Sequence, residues 1–323
     1  MPTDIKREQI TFPSTDGIST VYGFLWWPAE DAKPRGVVQL VHGMAEHIER
    51  YDDFARYLAG EGFLVAGHDQ IGHGRTTPPE HWGELPIRNG AEILVEDVDK
   101  LRKIVQKRIG AEIPYFLFGH SMGSFEVRSY IARHAEGLAG AIICGTGYVA
   151  PAASKFAKRT SWLSSFLFGE NHHSKLIDSM GAGSYSRAIE NARTDFDWLS
   201  YNRDNVDRYI ADPACGFMFS TSGYVALTTL TAEVNTLECA SQVPSDLPLL
   251  FISGGDDPVG GFGEGVRHAA ALARDGGSED VVVTIYGNMR HEILNEDDHM
   301  RVYGDVKDWI VAHMPQDDGK KRE

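Results

Sequence analysis

No apolar run in this 323-residue chain approaches the 18 or so residues that a membrane-crossing helix needs. Cysteine is scarce: Cys144, Cys215 and Cys239 are odd in number, far apart and without metal-ligand spacing. That excludes a disulfide framework and a cysteine-based zinc module, and the three read as free thiols of a reducing cytoplasm. Positive charge is in deficit, with 31 Lys and Arg against 46 Asp and Glu and a net charge of −15. Nucleic acid needs a basic surface, so it is not an expected partner. The first ten residues, MPTDIKREQI, are charged and lack the apolar core of a secretory signal. Histidine and cysteine form no ligand cluster, so no metal and no cofactor is implied. Internal repeats and low-complexity linkers are also missing.

What is present is an alternation of short apolar runs and amphipathic helices, the pattern of a mostly parallel sheet covered on both faces. GVVQLVHG (36–43) and GFLVAGHD (62–69) read as strands flanking a helix from Tyr51 to about Gly60. EILVEDVDKLRKIVQKRI repeats apolar residues at 94, 98, 101, 104, 105 and 109, a helical stripe. YFLFG, GAIICG, LPLLFISGG and VVVTIYG are β-rich and glycine-bounded, hence buried strands. RVYGDVKDWIVAHM closes the chain as a helix, and PQDDGKKRE reads as a solvated tail. The alternation breaks between about Gly147 and Glu233, where Ser, Ala and aromatics replace the β-type runs. The expected organisation is an α/β core of residues 1–146 and 236–323 with a helical insertion at 147–235.

Within YFLFGHSMGSFEV, Gly119-His120-Ser121-Met122-Gly123 matches G-x-S-x-G, a weak signal by itself. Its context strengthens it, because a strand precedes it and a helix follows. A serine on so tight a turn must take a strained backbone, with positive φ expected. Small residues at 119 and 123 let strand and helix approach. A serine hydroxyl is a poor nucleophile until a base removes its proton, and in this architecture the acid and then the histidine follow in the chain. The loop after LPLLFISGG supplies Asp257, with Asp256 as competitor, and the loop after VVVTIY supplies His291. His299 and His313 fall in or beside the last helix. The backbone N–H groups of Met122 and Met44 are the expected oxyanion donors. His42 and His120, beside the glycine turns, read as structural.

LVHGMAEHIERYDDFARYLAGEGFLVAGHDQIGHGRT, GHSMGS, SGGDDPVGG and RHEILNE together resemble the monoacylglycerol lipase and lysophospholipase group of α/β-hydrolases. The resemblance runs from about Val37 to Trp309 and is weakest across the insertion. It implies an α/β-hydrolase fold, a Ser121–Asp257–His291 triad and an oxyanion hole at Met44 and Met122. It also implies that Glu46 and Arg50 lie near the polar head of the substrate; a local ion pair at a helix start is the competing reading. Asp69 and His73 are similar to the family's buried loop-ordering residues. The insertion would be a cap over the acyl pocket. FAKRTSWLSSFLFG puts Phe156, Trp162, Leu163, Phe166 and Phe168 beside Lys155, Lys158 and Arg159. Such a basic, aromatic helix suits a lipid interface, or else it packs its apolar side on the core. The reading is a cytoplasmic serine hydrolase of single-chain lipid esters, a monoacylglycerol or lysophospholipid. A short-chain carboxylesterase, a peptidase and a non-catalytic binding protein are the alternatives, while a serine at the elbow argues against a dehalogenase.

Overall fold

A strand buried on both faces reads as a near-continuous apolar run, whereas a half-exposed strand alternates. VVQLV, LVAGH, YFLFGH, GAIIC and LLFISG are buried throughout. The computed structural model describes residues 5–28, 33–180 and 182–315, so the expected tail from 316 onward lies outside the described residues. Its strands are β1 (Arg7–Pro13), β2 (Thr20–Trp26), β3 (Val37–Val41), β4 (Leu64–His68), β5 (Tyr115–His120), β6 (Gly140–Cys144), β7 (Leu249–Gly254) and β8 (Val281–Tyr286). They form one sheet in the order β1-β2-β4-β3-β5-β6-β7-β8. β1 pairs antiparallel with β2, and β2 with β4; every other pairing is parallel.

The core lies on both sides of this sheet, and the two-residue side-chain period divides it. Val37, Val41, Leu117 and Phe251 face one cluster, with α2 (Gly90–Ile109), α3 (Met122–His134) and α9 (Glu264–Asp275). Val38, Leu40, Phe116 and Phe118 face the other, with α1 (Asp52–Gly60) and α10 (His299–Ala312). Between β6 and β7 there is no strand among the described residues. That segment carries α4 (Pro151–Phe168), α5 (Lys175–Met180), α6 (Arg203–Ala211), α7 (Thr221–Val234) and α8 (Leu237–Ala240). α7 packs on α2 and α3, and α4 rides on α7.

The β1–β2 hairpin is an addition to the sequence reading. REQITFP buries only Phe12 fully and sits at the sheet edge, so it lacks the continuous apolar signal of the central strands. Its turn is set by Asp16, whose carboxylate accepts from the Ile18 and Ser19 amides at 2.7 Å each.

In chain order β3 is followed by β4 on one side of it, while β5 lies on the other. The crevice beyond the carboxyl ends of β3 and β5 is therefore a topological switch point, where ligands of open α/β sheets bind.

Candidate active site

Ser121 caps α3 at the end of β5 with φ 53° and ψ −117°, a backbone that non-glycine residues rarely adopt. Close approach of strand and helix imposes this. A Cβ on Gly123 would collide with the carbonyl oxygens of Val41 and His42, and one on Gly119 with the Gly123 carbonyl. The Ser121 amide donates to the Cys144 carbonyl across β6 at 2.9 Å, which fixes the turn on the sheet. Met122 begins α3, so its N–H has no intrahelical acceptor.

Asp257 follows β7 and is wholly buried. Its Oδ2 accepts from the His291 Nδ1–H at 2.9 Å and from the Ser253 hydroxyl at 3.1 Å, and its Oδ1 accepts from the Val259 amide at 2.8 Å. With the proton on Nδ1, the Nε2 of His291 carries a free lone pair. Burial would lower the His291 pKa, but the charge and hydrogen bond of Asp257 outweigh it and hold the imidazole above its usual 6.5. Asp256, the competing acid, is only half-buried and accepts from the Tyr201 hydroxyl at 3.1 Å. Two rings flank His291: His120 at 4.6 Å and Trp198 at 5.2 Å between centroids. Burial, then the neighbouring His291, drives the His120 pKa down to about 4, so it is neutral near pH 7.

The loop after β3 brings up Met44. Ala45 next to it has φ 52°, and its peptide is held from three sides. The Ala45 carbonyl accepts from the Gly216 amide at 2.9 Å and the Tyr209 hydroxyl at 3.0 Å, while its N–H donates to His73 Nε2 at 3.3 Å. Such over-determination is what keeps a strained peptide in place. His73 is anchored in turn through Nδ1 on the Ile71 carbonyl, and Asp69 accepts from the Ile48 and Arg75 amides at 2.9 Å each. His42 donates from Nδ1 to the Gly43 carbonyl at 2.8 Å and accepts the Gln70 amide at 3.0 Å. Burial lowers its pKa to about 4.

Glu46 and Arg50 form a buried charge network. Glu46 accepts from Arg50 at 2.7 Å, from the Tyr51 hydroxyl at 2.8 Å and from the Gly43 amide at 2.6 Å. Arg50 also grips Glu292 with both Nη atoms and lies over the Tyr209 ring at 4.8 Å. Burial raises the carboxyl pKa of Glu46 and of Glu292, but Arg50 overrides it and holds both below the usual range. Glu46 reaches the cavity wall and Arg50 does not. Sequence reasoning missed Glu292 and Asn205, whose amide donates to Glu292 at 2.6 Å. Glu292 stands next to His291 in RHEILNE, but its partner Arg50 is 242 residues away, beyond any spacing rule.

Ser121, His291, Met44 and Met122 all line one cavity of about 520 Å³, a volume typical of small-molecule sites. Its apolar wall includes Phe125, Phe217, Met218, Leu227 and Val259.

A family model described as serine aminopeptidase, S33, matches residues 32–298. The chain is 30% identical to the monoacylglycerol lipase of Mycolicibacterium smegmatis over 311 residues, 95% of this chain and 98% of that protein. It is 25% identical to the Mus musculus monoglyceride lipase over 290 residues, 88% of this chain and 84% of the other. Among solved structures, a highly thermostable carboxyl esterase from Bacillus coagulans matches with a TM-score of 0.88 at 31% identity, covering 97% of this chain and all of the other. The eight-stranded sheet, its covering helices and these similarities together make the chain a member of the Hydrolase_4 family of α/β-hydrolases, in the monoacylglycerol lipase group.

Proposed function

We propose that the protein is a serine hydrolase cleaving carboxylic esters of single-chain lipids, a monoacylglycerol or lysophospholipid, through an acyl-enzyme. The carrying observation is the convergence of a positive-φ serine and a carboxylate-bound histidine on one cavity with an extensive apolar wall. Ser121 attacks the ester carbonyl as His291 Nε2 takes its proton, and the Met122 and Met44 N–H groups receive the developing oxyanion. His291 then protonates the leaving alcohol, and a water repeats the sequence on the acyl-enzyme. Asp257 keeps the proton on Nδ1 and stabilises the imidazolium. Glu46 and Arg50 hold the oxyanion loop against the segment carrying Tyr209 rather than meeting a head group, because their charges already face each other and Glu292.

Residues 147–235 act as the cap in this reading. α4 turns Ser154, Ser161, Ser164 and Ser165 inward, and these small side chains let it lie close on α7. Phe156, Trp162, Leu163, Phe166, Leu167 and Phe168 are each more than half exposed. Lys155, Lys158 and Arg159 are exposed on the same helix. An outward apolar stripe with basic neighbours supports peripheral contact with an anionic lipid surface. Among the described residues no helix is long and apolar enough to cross a membrane.

A fluorophosphonate probe should label wild type on Ser121, and a series of p-nitrophenyl esters should show kcat/KM rising from acetyl to medium or long acyl groups. A preference for acetyl would favour a short-chain carboxylesterase, a reading to which the 31%-identical esterase gives weight. Labelling elsewhere, or none, would overturn the assignment of the nucleophile.

A further inference from the structure

Outside the cavity's catalytic groups, three potential ligands of different chemistry converge. His47, Asp212 and Cys215 each offer one donor atom, and these atoms all lie within 4.8 Å of one another. The closest pair is His47 Nε2 and Asp212 Oδ2 at 2.9 Å, joining positions 165 apart in the chain. Asp212 and Cys215 come from one turn, Asp212-Pro213-Ala214-Cys215. Its backbone is closed by the Cys215 amide on the Asp212 carbonyl at 3.0 Å. The Ala214 amide donates to Asp212 Oδ1 at 2.8 Å, which leaves Oδ2 turned toward His47. Ligands three apart on a closed turn, completed by a histidine from a second loop, match the two-plus-one layout of zinc-type sites.

We propose that His47, Asp212 and Cys215 bind a divalent cation of the zinc class, with water as a fourth ligand. A nitrogen, a carboxylate oxygen and a thiolate form a mixed donor set that suits zinc or cobalt and disfavours magnesium or calcium. Tetrahedral bonds of about 2.0–2.3 Å put ligand atoms roughly 3.3–3.8 Å apart, so small side-chain rotations close the site. The local field allows a cation. Arg50 is the nearby positive group, and Glu46 and Glu292 both face it. Burial holds the Cys215 thiol protonated in the free protein, and His47 Nε2 carries the proton of its bond to Asp212. Binding would release the thiol proton to solvent and move the imidazole proton to Nδ1 as the metal–ligand bonds form.

The position gives the site a consequence. His47 belongs to the loop that carries Met44 and Ala45, and Cys215 precedes Gly216, which already bonds to the Ala45 carbonyl at 2.9 Å. A bound cation would therefore fasten the oxyanion loop to the segment after α6 at the cavity rim. It acts on loop rigidity and adds nothing to the ester chemistry.

The test uses the full-length protein, ZnCl2 and CoCl2. Calorimetry should find one Zn2+ per chain with micromolar or tighter affinity, and saturating Zn2+ should raise the thermal midpoint. Co2+ should give a thiolate charge-transfer band in the near ultraviolet and the visible bands of a four-coordinate ion. Cys215→Ser should abolish the charge-transfer band, and His47→Gln should weaken Zn2+ binding at least tenfold. Circular dichroism and midpoints without metal establish that both variants are folded. Failure of wild type to bind at 1:1 overturns the proposal. So does retention of the band in Cys215→Ser, or unchanged affinity in His47→Gln. None of these readouts depends on esterase activity, so the outcome is independent of the proposed function.

Discussion

Replacing Asp257 by Asn tests the proposed triad more sharply than removing the nucleophile, because the structure determines which way the amide turns. Asp257 Oδ1 accepts the Val259 amide, and Oδ2 accepts His291 Nδ1–H and the Ser253 hydroxyl. An Asn NH2 placed at the Oδ1 position would point a donor at the Val259 N–H, leaving buried donors unpaired at about 1–3 kcal/mol. Placed at the Oδ2 position, it meets a serine hydroxyl that can rotate to accept and an imidazole that can switch tautomer. The second orientation is favoured by roughly five- to 150-fold in population. It forces the proton onto Nε2, so the histidine cannot act as base. Loss of the carboxylate charge that stabilises the imidazolium adds a further penalty, and together they lower kcat by about 10⁴. Asp256→Asn keeps an acceptor for the Tyr201 hydroxyl and should cost less than tenfold.

The assay is steady-state hydrolysis of a soluble p-nitrophenyl ester, with circular dichroism confirming the fold of each variant. A second readout separates a direct role from a structural one. Without Asp257, burial is no longer outweighed, so the acid-limb pKa of the residual activity should fall relative to wild type. A larger loss from Asp256→Asn than from Asp257→Asn would refute the assignment, as would an acid limb that does not move.

In wild type, kcat/KM should rise with pH through a single ionisation above 6.5, since the raised His291 pKa means that the active neutral form appears only above it; a profile flat from pH 5 to 9 would contradict this. Ser121→Ala and His291→Ala should each lower kcat by about 10⁵–10⁶, and His291→Ala within tenfold of wild type would remove that residue from the mechanism. Ser121→Gly should lose activity equally yet gain about 0.5–2 kcal/mol in urea unfolding, because glycine relieves the φ 53° strain while freeing the unfolded chain; Ser121→Ala keeps the strain and should gain nothing. Replacing Lys155, Lys158 and Arg159 by Gln should weaken binding to anionic vesicles about a hundredfold, at about 1 kcal/mol per basic residue. Turnover of a soluble short-chain ester should be nearly unchanged, and an equal fall of both activities would mean that the segment is structural packing.

The five strands β3 to β7 were legible because burial on both faces removes polar alternation, leaving VVQLV or LLFISG as near-continuous apolar runs. VVVTIY, expected to be buried, is instead the edge strand β8 with Val282 exposed. The β1–β2 hairpin was not, since edge position leaves Arg7, Glu8 and Gln9 in a strand with one fully buried side chain. The same division applies to the site. Ser121, Asp257 and His291 each follow a strand, so chain order and strand ends were enough to nominate them. Arg50 and Glu292 could not be paired this way: their contact depends on how the loop after β8 meets the loop after β3. The sequence offered two fates for Glu46 and Arg50, and only the fold reveals the second carboxylate that surrounds the guanidinium.

α4 shows where periodicity itself is insufficient. Its sequence contains a serine stripe at 154, 161, 164 and 165 and an apolar stripe interleaved with it. Pattern rules turn the apolar stripe toward the core, but the protein does the reverse. Burying a large apolar side chain is worth roughly 1.5–3 kcal/mol, so the exposed residues from Phe156 to Phe168 forgo a sizeable stabilisation in water. Close packing of small serines on α7 offsets only part of it, since serine buries little apolar area. A helix arranged this way recovers the remainder only when another apolar medium covers its outer face. Under the proposed function, the same outward side chains that are a liability in solution would let the cap meet a lipid surface, and Lys155, Lys158 and Arg159 would draw this otherwise acidic protein to it in one orientation.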